Sequence, residues 1–160
     1  TRRYQAAGHE ILGVGYHAVT VADGPSQVRK FYRHTAGQSE AEQRQHVALL
    51  QQKQASTLAH LEPFAVPEEF FVQEDPLNPS QSVVAATQAR IAIAAGLNFY
   101  TGAEPLAVNP VAFAESALDM QANSDPAALP DVVGVNNLVV EADTGAILLI
   151  DPVSLQANDP

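Results

Sequence analysis

Five histidines, His9, His17, His34, His46 and His60, carry most of this chain's capacity for proton transfer or metal ligation, because the sequence contains no cysteine. Any site must be built from nitrogen and oxygen, which excludes thiolate nucleophiles and sulfur-ligated metals and leaves the redox compartment unread. His17 stands in "GVGYHAVTVADG", where His17, Val19 and Val21 alternate onto one face of an expected strand. There it is either a core residue with hydrogen-bonded ring nitrogens or a ligand or general base, since an ordinary pKa of about 6.5 suits proton transfer. In "TLAHLEP", His60 and Glu62 would share one strand face and Ala59 and Leu61 the other, so a one-residue change of register decides which pair meets a site. Glu141, Asp143 and Asp151 in "VVEADTGAILLIDP" are oxygen donors of the kind that hard cations prefer. His9 and Glu10 lack the one-turn histidine spacing of a zincin helix. Thr1 raises an N-terminal nucleophile, with its own amine as base and Lys30 tuning it, but "TRRYQAAGHE" is too polar and unpatterned to begin the strand such a hydrolase needs.

Charge is distributed unevenly. The formal net charge is −10, all eight Lys and Arg residues lie between Arg2 and Arg90, and residues 91–160 carry nine acids and no formal positive charge. Nucleic-acid backbones and anionic lipids are therefore disfavoured as partners, since both are bound through Lys and Arg. No apolar run approaches the roughly 20 residues that cross a bilayer, and the first ten residues lack the apolar centre of a signal peptide. A soluble chain is expected, with Thr1 as a processed or trimmed start. Its 160 residues allow one domain, or two small repeats sharing a core.

The elements that must position these residues are read from pattern. Residues 13–22 predict a strand, Asp23, Gly24 and Pro25 a turn, and residues 25–36 a helix, with Val28, Phe31, Tyr32 and Ala36 at helical spacing and Gly37 ending it. Residues 39–62 have two readings. Ser39 and Glu42 form a capping-box pattern ahead of good helix formers, yet "HVALL" and "STLAHLEP" also read as two strands separated by "QQKQ". The four prolines of residues 63–82 suggest an irregular connection. "VVAATQARIAIAAG" is either a buried helix ended by Gly96 or contains the strand "RIAIAA". Asn109 and Pro110 start a helix over 110–120, with Val111, Ala114 and Leu118 on one face, and 136–150 reads as a hairpin around Asp143, Thr144 and Gly145, followed by a tail.

The interval from His17 to Phe31 and Tyr32, with Gly37 after them, resembles the opening of glyoxalase-type vicinal oxygen chelate proteins. "HVALLQQKQASTLAHLEP" and "VVEADTGAILLIDP" are similar to the segments that close that family's two modules. The resemblance implies an α+β fold of two βαβββ modules forming an open barrel with a concave sheet: residues 1–64, a proline-rich connection at 65–82, and residues 83–160. It also implies one divalent cation held by a histidine on the first strand and a Glu or Gln on the last strand of each module, polarising substrate oxygens. His17 falls at the first ligand position. The next falls on Ala59, with His60 and Glu62 displaced beside it. No histidine follows His60, and Leu149 stands where the last acid belongs, leaving Glu141 as a substitute. The candidate set is thus His17 and Glu62 for catalysis and His17, His60, Glu62 and Glu141 for metal, with no tightly held transition metal expected and a weak Ca²⁺ or Mg²⁺ site compatible. The expected partner is a small organic ligand, taken up by an isomerase, lyase or dioxygenase or by a non-catalytic sequestering protein. In a third alternative, an accessory subunit, residues 83–96 form an interface helix toward a second copy or another chain.

Overall fold

The computed structural model describes residues 2–15, 17–97, 107–124, 129–130 and 137–151, an α+β chain with two antiparallel sheets. It divides into two compact units, Thr1–Gln51 with Glu68–Arg90, and Gln52–Pro67 with Ile91–Pro160. Thr1, the tail after Asp151 and the first residue of the expected 136–150 hairpin lie outside the described residues.

The first unit opens with a short helix α1 (Arg2–Ala6), followed by β1 (Ile11–Val14), β2 (Ala18–Ala22) and β3 (Gln27–Tyr32). The single strand expected over 13–22 is instead the meeting of two strands, paired antiparallel with Val14 opposite Val19. The helix expected over 25–36 is also a strand: Val28, Phe31 and Tyr32 fit helical spacing, but Val28 and Tyr32 equally share one strand face and Phe31 the other. Pairing decides between the two patterns, because β3 is bonded to β2 on one side and, over Gln27–Phe31, to β5 (Asn78–Ala89) on the other, so its backbone groups are satisfied in the sheet. Asp23 does not cap a helix. Its N–H closes the β2–β3 turn on the Gln27 carbonyl at 3.0 Å, Gly24 adopts φ +77°, and the Asp23 carboxylate accepts from Arg29 Nε at 2.9 Å.

After a 3₁₀ turn at Arg33–Thr35, residues 39–62 resolve to the helical reading: α2 spans Glu40–Leu61 without interruption. The capping box is complete, with the Ser39 N–H donating to Glu42 Oε2 at 2.8 Å and the Glu42 N–H donating to Ser39 Oγ at 3.3 Å. The Ser39 hydroxyl, which donates to Glu42 Oε2 at 2.6 Å, and after it the Ser39 N–H hold the Glu42 carboxyl below its ordinary range. A folded pKa that is depressed contributes stability present above the unfolded value and lost as pH falls through the folded one. Ser39→Ala is therefore expected to lower the thermal midpoint slightly at neutral pH and to have a smaller effect in acid; an unchanged difference between pH 7 and pH 3 would contradict this.

Two strands complete the unit, β4 (Glu68–Asp75) and β5 (Asn78–Ala89), giving the sheet order β1-β2-β3-β5-β4. They overturn both the irregular connection expected over 63–82 and the helical alternative for 83–96, and with the latter the interface helix of an accessory subunit. The prolines fall where strands tolerate them. Pro67 precedes β4, Pro76 lies in the turn, and Pro79 sits at the start of β5 beside a bulge. The resulting order α-β-β-β-α-β-β differs from βαβββ, and the sheet is open, with β1 and β4 as edges. On one face Val19, Val21, Phe31, Val83 and Ala85 form a core under Tyr4 of α1, whose ring stacks on Phe31 at 5.5 Å between centroids.

The second unit holds a sheet of β6 (Ile93–Gly96), β7 (Leu138–Glu141) and β8 (Ile147–Leu149), in that order, and the helix α3 (Pro110–Asn123). The β7–β8 hairpin matches the expectation for its described residues, and its turn relies on Gly145 at φ +71°. Leu61, Phe64, Ala65, Phe113, Met120, Leu138, Ile147 and Leu149 make its core. Helix α3 begins at Pro110 as expected, but Asn109 Oδ1 accepts the Ile147 N–H at 2.7 Å and so ties the helix start to β8. The Val111–Ala114–Leu118 face is the outer one, with Val111 68% and Leu118 64% exposed, while Phe113 and Met120 turn inward.

Candidate functional site

The four residues singled out as ligands are distributed over both units. His17 precedes β2 in the first, half-buried. His60, Glu62 and Glu141 belong to the second. There His60 Nδ1 meets Asp119 Oδ2 of α3 at 2.9 Å, Glu62 is exposed where α2 gives way to a 3₁₀ turn, and Glu141 Oε2 accepts from Thr144 Oγ1 at 2.5 Å. Since residues 57–62 are not a strand, the alternation of His60 and Glu62 against Ala59 and Leu61 does not apply. Among the described residues no three His, Asp or Glu side chains are grouped so as to hold a metal ion.

The geometry instead brings His17 to other histidines. Its ring meets His34 edge-on at 5.7 Å, His34 meets His46 at 4.9 Å, and His46 meets Tyr32 at 6.0 Å. Three segments supply this row: the residue before β2, the end of β3 with the 3₁₀ turn after it, and the first half of α2. From His17 through His34 and His46 to Tyr32, successive members are 17, 12 and 14 residues apart, in no repeating pattern that sequence reading would detect, and only folding of α2 along the sheet groups them.

A second feature of the first unit is a cleft of about 680 Å³ lined by Arg2, Arg3, Tyr4, Arg33, Ala36, Asp75, Leu77, Asn78 and Gln81. Helix α1 supplies Arg2 and Arg3, the 3₁₀ turn after β3 supplies Arg33, and the end of β4 and the first residues of β5 supply the polar wall of Asp75, Asn78 and Gln81. Three of the chain's eight basic residues thus face one space, in a protein whose charge is −10. Among the described residues neither Arg2 nor Arg3 forms an ion pair, whereas Arg33 Nη2 donates to the Gly15 carbonyl at 2.7 Å, which steadies its guanidinium. Burial, and after it the Asp75 carboxylate, pushes the Tyr4 phenol above its ordinary pKa, while Arg33 and Arg3 pull it the other way. Tyr4 therefore keeps its proton at neutral pH, and its hydroxyl can donate a hydrogen bond. Such a set of guanidiniums and hydroxyl can receive a carboxylate or phosphate group through charge-assisted hydrogen bonds.

Sequence reading passed over this cleft. "TRRY" carries the signal, two adjacent arginines before an aromatic, but nothing local shows that Arg33 and Asp75 come to meet it. Compared with protein-family models, curated proteins and solved structures, the chain gives no match. No described helix is long and apolar enough to cross a membrane.

Proposed function

We propose that the protein binds a small anionic organic molecule in the arginine-lined cleft of its first unit. One observation carries this reading: Arg2, Arg3 and Arg33 share a space of about 680 Å³, a volume that suits a small organic ligand. The first unit has seven basic against eight acidic residues, while the second has one against ten, so the anion-attracting groups are concentrated where the cleft lies. Recognition needs no metal here, because guanidiniums neutralise the ligand's charge directly. This is a binding reading, and the cleft residues are its whole machinery.

The test is calorimetric titration of the full chain with mono- and dicarboxylates and organic phosphates at low ionic strength. Binding is expected to weaken with added salt, and Arg3→Ala is expected to lower affinity by about tenfold, the effect of one charge-assisted hydrogen bond. If no anion of the panel binds at millimolar concentration, the reading fails. The enzymatic alternative keeps the open barrel, its concave sheet and glyoxalase-type isomerase, lyase or dioxygenase chemistry, and it draws on His17 in the histidine row. Elemental analysis finding one stoichiometric Zn, Ni or Fe that disappears in His17→Ala would favour it over the cleft.

A further inference from the structure

The cleft is not uniformly basic, and its one acid is placed with care. Asp75 ends β4 and is only 7% exposed, yet it lines the same space as the three arginines. Its Oδ1 accepts the Leu77 N–H at 2.8 Å, which orients the carboxylate from the turn. Among the described residues Asp75 forms no ion pair, although Arg2, Arg3 and Arg33 line the cleft with it. A site selected for an anion alone gains nothing from a carboxylate in its wall, since like charges in a partly desolvated space repel. A ligand that also carries an ammonium group would turn that repulsion into an attraction.

We infer that the ligand is zwitterionic, its carboxylate received by Arg2, Arg3 and the Tyr4 hydroxyl and its ammonium by Asp75, as for an amino acid or ω-amino acid. The inference rests on the cleft being the binding site. It adds the second pole, which gives the ligand a direction along the cleft. Asp75 is then the residue that selects against plain carboxylates of the same length, because these leave its charge without a partner.

The experiment compares matched pairs on the full chain by calorimetry: 3-aminopropanoate with propanoate, 4-aminobutanoate with butanoate, and 6-aminohexanoate with hexanoate. At the length that spans the cleft, the amino acid is expected to bind about tenfold tighter or more than its matched carboxylate, the effect of one charge-assisted pair. Asp75→Asn keeps an oxygen for the Leu77 N–H, and it is expected to bring the preference within about twofold while leaving plain carboxylate binding equal or stronger. Wild-type protein that binds the amino acids no tighter than the carboxylates at any length overturns the inference and leaves the anion cleft standing, as does an Asp75→Asn protein that keeps the preference. Failure of both ligand classes to bind removes the cleft itself. The wild-type comparison decides the matter even where the variant folds poorly.

Discussion

Glu68→Ala is expected to destabilise the first unit by about 3–5 kcal/mol, while the double substitution Lys30→Met with Glu68→Leu is expected to cost far less than the two single changes added together. The reason lies in where the sheet places the two charges. On the face of the sheet opposite the Phe31 core, Lys30 of β3 and Phe70 of β4 both stand opposite Ala86 of β5, and Glu68 stands opposite Gln88. The small Ala86 leaves room for the lysine stem to run across β5, and Lys30 Nζ pairs with Glu68 Oε1 with side-chain exposures of 12% and 0%. Taking both ions out of water costs several kcal/mol, which their attraction repays only while both are present. Removing one leaves the other buried and charged. Replacing both by apolar side chains of similar volume removes the desolvation cost together with the attraction. Urea unfolding of the two single variants and the double variant closes the cycle, and a double variant as unstable as the sum of the singles would show that Lys30 and Glu68 do not act as a pair.

How far this architecture can be read from sequence depends on which face of each element is apolar. Ser39 and Glu42 announced the start of α2, and the cap is there. What left residues 39–62 open between helix and strands was the inward stripe of α2, which includes Gln43, His46, Lys53, Gln54 and Thr57 among Val47, Leu50, Leu58 and Leu61. A helix whose covered face is so polar has no hydrophobic period to detect. The helix expected over 25–36 failed for the opposite reason: Val28, Phe31 and Tyr32 satisfy two periods at once, and the choice rests with β2 and β5, one of them more than fifty residues away in sequence. The β7–β8 hairpin was legible because its turn and both partners are local. The histidine row and the cleft share one limitation. His17 was visible as a candidate, but His34 and His46 beside it, and Arg2, Arg3, Arg33 and Asp75 around the cleft, are assembled by strand register and helix placement that no local pattern encodes.

Gln43→Ala is expected to cost about 2–4 kcal/mol, from three lost hydrogen bonds and the space left by a fully buried side chain. Gln43 lies in the first turn of α2, and its amide joins that helix to two other elements. Nε2 donates to the Thr35 carbonyl at 2.9 Å and to the Ser82 carbonyl at 2.8 Å, and Oε1 accepts from Ser82 Oγ at 2.7 Å. Both carbonyls keep one backbone partner, Gln38 N–H on Thr35 and Gly37 N–H on Ser82, so the loss stays below that of two orphaned groups. The junction extends further through Thr35, whose Oγ1 donates to the Tyr32 carbonyl at 2.7 Å and accepts the Val84 N–H at 2.9 Å. Gln43→Glu is expected to be worse than the alanine, because a carboxylate has no donor for two carbonyls and would be buried charged. Hydrogen exchange separates a local from a global effect. Loss of the junction should speed exchange at Val84 more than at Val21, whose strand β2 is joined to the sheet without Gln43. An alanine variant within about 0.5 kcal/mol of the parent, with Val84 still protected, would mean that α2 is held to the sheet by its apolar contacts and that the buried amide contributes nothing measurable.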